Sequence, residues 1–347
     1  MNATEAPIRS EVRDGVAHLI LDRPAGLNAL TLEMVCQLFA HLQAWEMDPA
    51  VRVIALRGAG DKAFCAGGDV RALYESHRSG SDMHERFFRD EYALDLYIHR
   101  YPKPIVVLMD GFTLGGGMGL AQGARLRLVT ERSQLGMPET AIGFFPDVGA
   151  SYFLPRLPGA LGMYLALTGT RIGPADALYC GLADGYLESA AVGGLDATLA
   201  HLHETDGMAQ LFEQHLRREL PDPPLATLQP AIDEHFSAAD VASILQSLEN
   251  EQHPQYRQWA QETLELLHSR SPLALVVTHE LQRRGAERDL AGCFEMEQHV
   301  GALWFEHGDI AEGVRAMLVD KDKQPRWRYQ RLEQVTAEQV EHFFDGL

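Results

Sequence analysis

Two carboxylates and two glycine-rich turns are the parts of this chain whose residue types and spacing could do chemistry. Glu139 follows Pro138, and Asp147 sits between Pro146 and Val148, behind Phe144-Phe145. A carboxylate in apolar company holds its proton to higher pH, which suits a general acid or base. The competing reading makes Glu139 a helix cap and Asp147 an ordinary turn residue. The turns are Phe64-Cys65-Ala66-Gly67-Gly68-Asp69 and the stretch from Gly111 to Gly119 that holds Gly115, Gly116 and Gly117. Each follows an expected strand and opens an expected helix. Glycine lets backbone approach a ligand closely, and N–H groups at a helix start lack partners within the helix. Two such turns could aim two N–H groups at one oxygen, as an oxyanion hole requires. One turn alone would more often serve only a tight bend or close packing; two turns after two strands shift the balance towards function.

Other chemistries are excluded by what the chain lacks. There is no G-x-S-x-G elbow, no Walker A sequence and no H-E-x-x-H. Gly117-Met118-Gly119 begins a dinucleotide fingerprint, but Gly123 falls one position late. Cys65 has no histidine beside it and reads as a small packed residue. His41, His99 and His279 lie in helical stretches and read as packed or solvated, not as ligands.

The elements that must position these residues can be read along the chain. Asp14-Gly15 is a hairpin turn between Ile8–Arg13 and Val16–Leu21. Thr31 is an N-cap for a helix with Val35, Leu38, Phe39 and Leu42 on one face, ended by Asp48-Pro49. Strands are expected at Val51–Arg57, Ile105–Met109 and Leu126–Thr130, with helices near Val70, over Met83–Arg100 and from about Met118. Ser76–Asp82 reads as a loop. Alternation up to about residue 190 argues an α/β fold with parallel pairing. Beyond about 200 the pattern is helical, with Pro221-Asp222-Pro223-Pro224 as a break. The expected division is therefore a core over residues 1–200 and a helical region over 201–347.

With 347 residues, 46% of them hydrophobic and 23% charged, the chain is too apolar for disorder and long enough for a sizeable core. Its net charge of −19 argues against general nucleic-acid binding, because phosphate recognition needs a basic surface. Four scattered cysteines without a C-x-x-C pair point to a reducing compartment. No apolar run reaches the ~18 residues of a membrane span. Met1–Arg13 reads as neither a secretory signal nor a transit peptide, so a cytoplasmic location is expected.

The residues also carry a resemblance. Ala63-Phe64-Cys65-Ala66-Gly67-Gly68-Asp69-Val70 resembles the first oxyanion loop of the crotonase (enoyl-CoA hydratase/isomerase) superfamily, and Asp110-Gly111-Phe112-Thr113-Leu114-Gly115-Gly116-Gly117 resembles its second. Hydratases of that superfamily use two glutamates. One corresponds to Glu139; the other lies two residues after the glycine triplet, where this chain has Gly119. The segment from Met137 to Gly149 is similar to the signature of the 3-hydroxyisobutyryl-CoA hydrolase branch. So are Phe87-Phe88-Arg89-Asp90-Glu91-Tyr92, Glu312-Gly313-Val314-Arg315-Ala316 and Asp320-Lys321-Asp322.

The resemblance implies a spiral of ββα units followed by a helical C-terminal region that covers the active site. It implies an acyl-CoA thioester as substrate, with the N–H groups of Gly68 and Gly116 as the oxyanion hole. Ala66, Gly67 and Gly115 would line the substrate, with Arg23-Pro24 near the nucleotide end. Glu139 and Asp147 would handle the nucleophile. Glu91 would contact the substrate hydroxyl or position the carboxylates. No metal and no cofactor are expected, coenzyme A being part of the substrate. The implied reaction is hydrolysis of a short branched 3-hydroxyacyl thioester in valine breakdown. The alternatives are an enoyl-CoA hydratase or isomerase and a non-catalytic acyl-CoA-binding protein. Members of the superfamily form trimers and hexamers, so a homo-oligomer is allowed, although a large C-terminal part would cover that surface.

Overall fold

Asp14 and Gly15 both take positive φ, 52° and 82°, as a two-residue hairpin turn demands. They join β1 (Ile8–Arg13) to β2 (Val16–Leu21), which pair antiparallel with Arg13 opposite Val16. The computed structural model describes residues 6–200, 216–217 and 219–347. From β2 onward the large sheet is parallel. It takes in β3 (Val53–Gly58), β5 (Ile105–Met109), β7 (Leu126–Val129) and β9 (Gly185–Tyr186), in the order β1-β2-β3-β5-β7-β9. All five residues of β5 are buried, the continuous apolar run of a strand covered on both faces.

A second sheet is built from β4 (Ala63–Cys65), β6 (Phe112–Leu114) and β8 (Gln134–Gly136). The chain thus lays one strand in the large sheet, the next in the small one, and then a helical turn. β3-β4 precedes the helix Val70–Ser79, β5-β6 precedes Gly116–Gln122, and β7-β8 precedes the 3-10 turn Glu139–Ile142. This is the expected spiral of ββα units. Thr31 caps the helix Leu32–Glu46 by accepting the Met34 N–H at 3.2 Å, and Val35, Leu38 and Leu42 are buried as their spacing implied. Phe39 is half-buried and stacks on Tyr97 at 5.0 Å between ring centroids.

Packing groups the chain into two units, and neither is continuous in sequence. The first holds Met1–Asp69, Ala93–Leu135 and Ile172–Pro224; the second holds Val70–Tyr92, Gly136–Arg171 and Leu225–Leu347. This differs from a single division at residue 200. The reason lies in apolar side chains that the early segments contribute to the helical unit. Tyr74, Phe144 and Phe145 share one core with Leu273, Val277, Met296, Val300, Trp304, Phe343 and Phe344. The first unit has its own core, from Val16, Val53, Val106, Leu108, Leu126 and Leu128 to Leu195, Leu199 and Leu216. The helical character expected after residue 200 is present in Pro224–Phe236, Val241–Glu249, Arg257–His268, Pro272–Gly285 and Leu290–His307. Residues 201–215 and 218 lie outside the described residues.

Candidate active site

The residues singled out for chemistry fall into two sets, one in each unit. In the first unit, parallel pairing of β4 with β6 sets Cys65 beside Thr113 and so brings the two glycine turns together. Gly67 has φ +98°, a conformation that favours glycine. A Cβ on it would lie 3.2 Å from the Leu114 carbonyl oxygen and 3.7 Å from the Gly116 nitrogen. Leu30 bridges the first turn: its N–H donates to the Gly67 carbonyl at 2.8 Å and its carbonyl accepts the Asp69 N–H at 2.8 Å. Those bonds run through the neighbours of Gly68, so the Gly68 N–H points away from Leu30. Gly116 opens the helix Gly116–Gln122 after Gly115, so its N–H belongs to the first turn, where no carbonyl within the helix reaches it. The Ala66 N–H is taken by the Leu27 carbonyl at 3.1 Å, which leaves Ala66 as wall, not donor. Arg23 reaches the same loop, donating to the Ala29 carbonyl at 2.6 Å and pairing with Asp69 at 3.2 Å.

Close approach explains the glycine after Gly116. A Cβ on Gly117 would stand 2.4 Å from the Cys65 carbonyl oxygen and 2.9 Å from the Cys65 Cβ, and backbone cannot yield there as a flexible side chain would. Gly117→Ala is expected to cost about 2 kcal/mol or more of stability, read as a lower midpoint in urea unfolding. An unchanged midpoint would show that the two turns are not packed this tightly.

The second unit gathers Glu91, Tyr92, Glu139 and Asp147. Glu139 opens the 3-10 turn Glu139–Ile142 but caps nothing. It is 8% exposed, and its Oε2 is buried without a hydrogen-bond partner. The turn is held from the helix Leu290–His307, whose Trp304 donates its indole N–H to the Gly143 carbonyl at 2.8 Å. Asp147 is 4% exposed and accepts the Tyr92 hydroxyl at 2.6 Å. Burial raises the Glu139 pKa well above its ordinary value, and the Asp147 charge raises it further. Burial also raises the Asp147 pKa, against the pull of the Tyr92 hydrogen bond. The helix-cap and ordinary-turn readings therefore do not describe these two groups. Both are buried carboxyls that hold their protons to higher pH than exposed ones do.

Glu91 is buried beside Tyr92 on the helix Met83–His99; burial and then the Asp147 charge raise the Tyr92 pKa, and the Glu91 charge adds a smaller push. Tyr92 itself carried no assigned role in the sequence. The signal was present, as a phenol next to an acidic residue in a conspicuous aromatic run. Gly119 lies buried in the helix Gly116–Gln122 and supplies no second carboxylate there.

Comparison with known proteins bears on these two sets. A profile of the family described as "Enoyl-CoA hydratase/isomerase" matches residues 16–344. A protein of Gallus gallus named "3-hydroxyisobutyryl-CoA hydrolase, mitochondrial" is 39% identical, covering 99% of this chain and 89% of the relative. Its Danio rerio namesake is also 39% identical, covering 95% and 87%. A solved structure named as a carnitinyl-CoA dehydratase from Mycobacterium thermoresistibile is 38% identical with a TM-score of 0.91, covering 98% of this chain and 97% of its own. One named as an enoyl-CoA hydratase from Rhodobacter sphaeroides 2.4.1 is 38% identical with a TM-score of 0.89, covering 98% of each chain. The word mitochondrial in the relatives' names gives the cytoplasmic expectation no support. Among the described residues, no helix is long and apolar enough to cross a membrane.

Proposed function

This chain belongs to the enoyl-CoA hydratase/isomerase family, and from that premise we propose that it hydrolyses 3-hydroxyisobutyryl-CoA, a short branched 3-hydroxyacyl thioester, to 3-hydroxyisobutyrate and coenzyme A. The observation that carries the reading is the buried Glu139–Asp147 pair, with Asp147 held by Tyr92. Gly119 stands where a hydratase of the superfamily would carry one of its two glutamates, so this chain keeps Glu139 of that pair and has its second buried acid, Asp147, elsewhere. Relatives named as hydrolases over nearly the whole chain support the same choice. A purely binding protein would need neither buried acid.

In this reading the thioester oxygen accepts from the N–H groups of Gly68 and Gly116. Each such donor is worth roughly 3–4 kcal/mol when charge develops on the oxygen. Ala66, Gly67 and Gly115 shape the backbone around it. One route has the carboxylate pair take a proton from water as its oxygen adds to the carbonyl carbon. The tetrahedral intermediate then expels the thiolate, which leaves as the protonated thiol. The other route has Glu139 attack, expel the thiolate and form an anhydride that water opens. Both consume one water and release one acid and one thiol. Glu91 contacts the substrate hydroxyl or fixes the acids. The product acid suits a step in valine breakdown.

The test is thiol release from 3-hydroxyisobutyryl-CoA, followed with a thiol reagent, beside crotonyl-CoA followed by its enoyl absorbance. Rapid release of free coenzyme A is expected. Cys36 is exposed while Cys65, Cys180 and Cys293 are buried, so the folded protein adds only a small fixed blank. No thiol release together with loss of the enoyl absorbance would make the chain a hydratase, the activity for which the Rhodobacter sphaeroides structure is named.

A further inference from the structure

The helix Leu290–His307 sends Cys293, Phe294, Met296, Val300 and Trp304 into the core of the second unit, and with them one carboxylate, Glu297. Glu297 is fully buried, and among the described residues it makes no ion pair. A buried carboxyl is costly unless hydrogen bonds replace its water. Three donors do so in part, and burial still outweighs them, pushing the Glu297 pKa up to about 8. Glu297 Oε2 accepts the Gly149 N–H at 2.7 Å, and Oε1 accepts both the Ser151 N–H at 2.8 Å and the Ser151 hydroxyl at 2.5 Å.

Those donors lie immediately after Asp147, in a backbone that would not adopt its shape unaided. Val148 has φ +54° and Gly149 φ +87°. Left-handed backbone at a β-branched residue is strained and persists only where its surroundings hold it. Asp147 is thus gripped at two points. Tyr92 takes its carboxylate, and Glu297 takes the turn that follows its backbone.

We infer that Glu297 is a positioning residue: by accepting the Gly149 and Ser151 N–H groups it holds the strained turn that aims the Asp147 carboxylate. The inference rests on the reading in which Asp147 handles the nucleophile. Glu297 touches no substrate in this account; it acts through Asp147. The plainer alternative is a packing clip that joins a helix to the segment Ala150–Phe153 and is indifferent to turnover.

The two differ in how variants rank. Glu297→Gln keeps the size but turns one acceptor into an N–H₂ group facing an N–H donor. Glu297→Asp loses a methylene but keeps two acceptor oxygens. A packing clip ranks the glutamine variant above the aspartate. Positioning through acceptors ranks the aspartate above the glutamine. Glu297→Gln is expected to lower kcat for thiol release by about 10- to 100-fold with KM moving less than about twofold, the pattern of a displaced catalytic group. Glu297→Asp is expected to retain at least about threefold more kcat than Glu297→Gln. Ser151→Ala removes one of the three donors by the loss of a single oxygen and is expected to lower kcat about three- to tenfold, which keeps the test open if the Glu297 variants fold poorly.

Wild-type kcat in Glu297→Gln or in Ser151→Ala, or a glutamine variant that outperforms the aspartate, would overturn the assignment. Wild-type enzyme assayed in parallel separates the two levels. If it releases thiol and the variants match it, positioning alone fails. If it only hydrates crotonyl-CoA, the hydrolase reading fails, and the same ranking is read on hydration.

Discussion

Glu139→Gln should lower kcat for thiol release by about 10³-fold or more while KM stays within about threefold, because in the proposed mechanism Glu139 acts in the transition state and not in ground-state binding. The replacement is close to isosteric, so packing around the Glu139–Ile142 turn survives. Stability is expected to move the other way. Burial and the Asp147 charge raise the pKa of Glu139 in the folded protein. A carboxyl whose folded pKa lies above its unfolded value contributes stability below the unfolded pKa and loses it as pH rises towards the folded one. Glutamine has no proton to lose there. The melting temperature of the variant relative to wild type should therefore climb from pH 5 to pH 8, as a neutral residue replaces a buried charge. Wild-type turnover in the variant would remove Glu139 from the chemistry. A Tm difference that is flat across that range would mean that Glu139 titrates like a surface carboxyl.

The second large effect concerns Asp147 and its phenol. Asp147→Asn is expected to lower kcat by about 10²- to 10⁴-fold, the usual worth of a positioned proton acceptor. In the proposed mechanism the reacting form is a carboxylate, and a raised pKa keeps the proton on to higher pH. Thus kcat/KM should fall on acidification with a midpoint above the ordinary carboxyl range. That midpoint belongs to the Glu139–Asp147 pair and to neither acid alone. The Tyr92 hydroxyl donates to Asp147 and opposes the upward shift that burial causes. Tyr92→Phe removes that donation, so the acid limb should move to higher pH while the rate at high pH suffers less. A limb that stays in place would show that Asp147 does not set it.

Much of this was legible in the residues because the relevant rules are local. The Asp14-Gly15 hairpin, the Thr31 cap and the buried strand Ile105–Met109 each follow from a few adjacent side chains. The glycine turns were legible for the same reason. The strands Ala63–Cys65, Phe112–Leu114 and Gln134–Gly136 were not, since three residues are too few to show alternation. Ser76–Asp82 reads as a loop, yet the helix Val70–Ser79 runs into it. Ser76 is buried there, where its hydroxyl accepts the His84 N–H at 3.1 Å, a tertiary contact that composition cannot reveal. Glu297 was invisible for a related reason. One acid on an apolar helix face is noticeable, but nothing in the sequence ties it to Gly149 and Ser151. The distal Glu312 and Arg315, by contrast, stand out in sequence for a reason that is structural. Arg315 pairs with Glu312 at 2.7 Å, Asp320 at 2.6 Å and Asp322 at 2.8 Å.

The interleaving of the second unit sets the order in which a growing chain can be completed. Phe144 and Phe145 leave the ribosome well before Trp304, Phe343 and Phe344, with which they share a core. During synthesis those early aromatics wait, uncovered, for the last helices to arrive. A chain cut off near residue 200 would keep them uncovered permanently and would be a sticky fragment, not a smaller enzyme. Stop codons and frameshifts late in the reading frame should therefore be as damaging as early ones, and an expression host short of chaperones should yield aggregate first from the truncated chains.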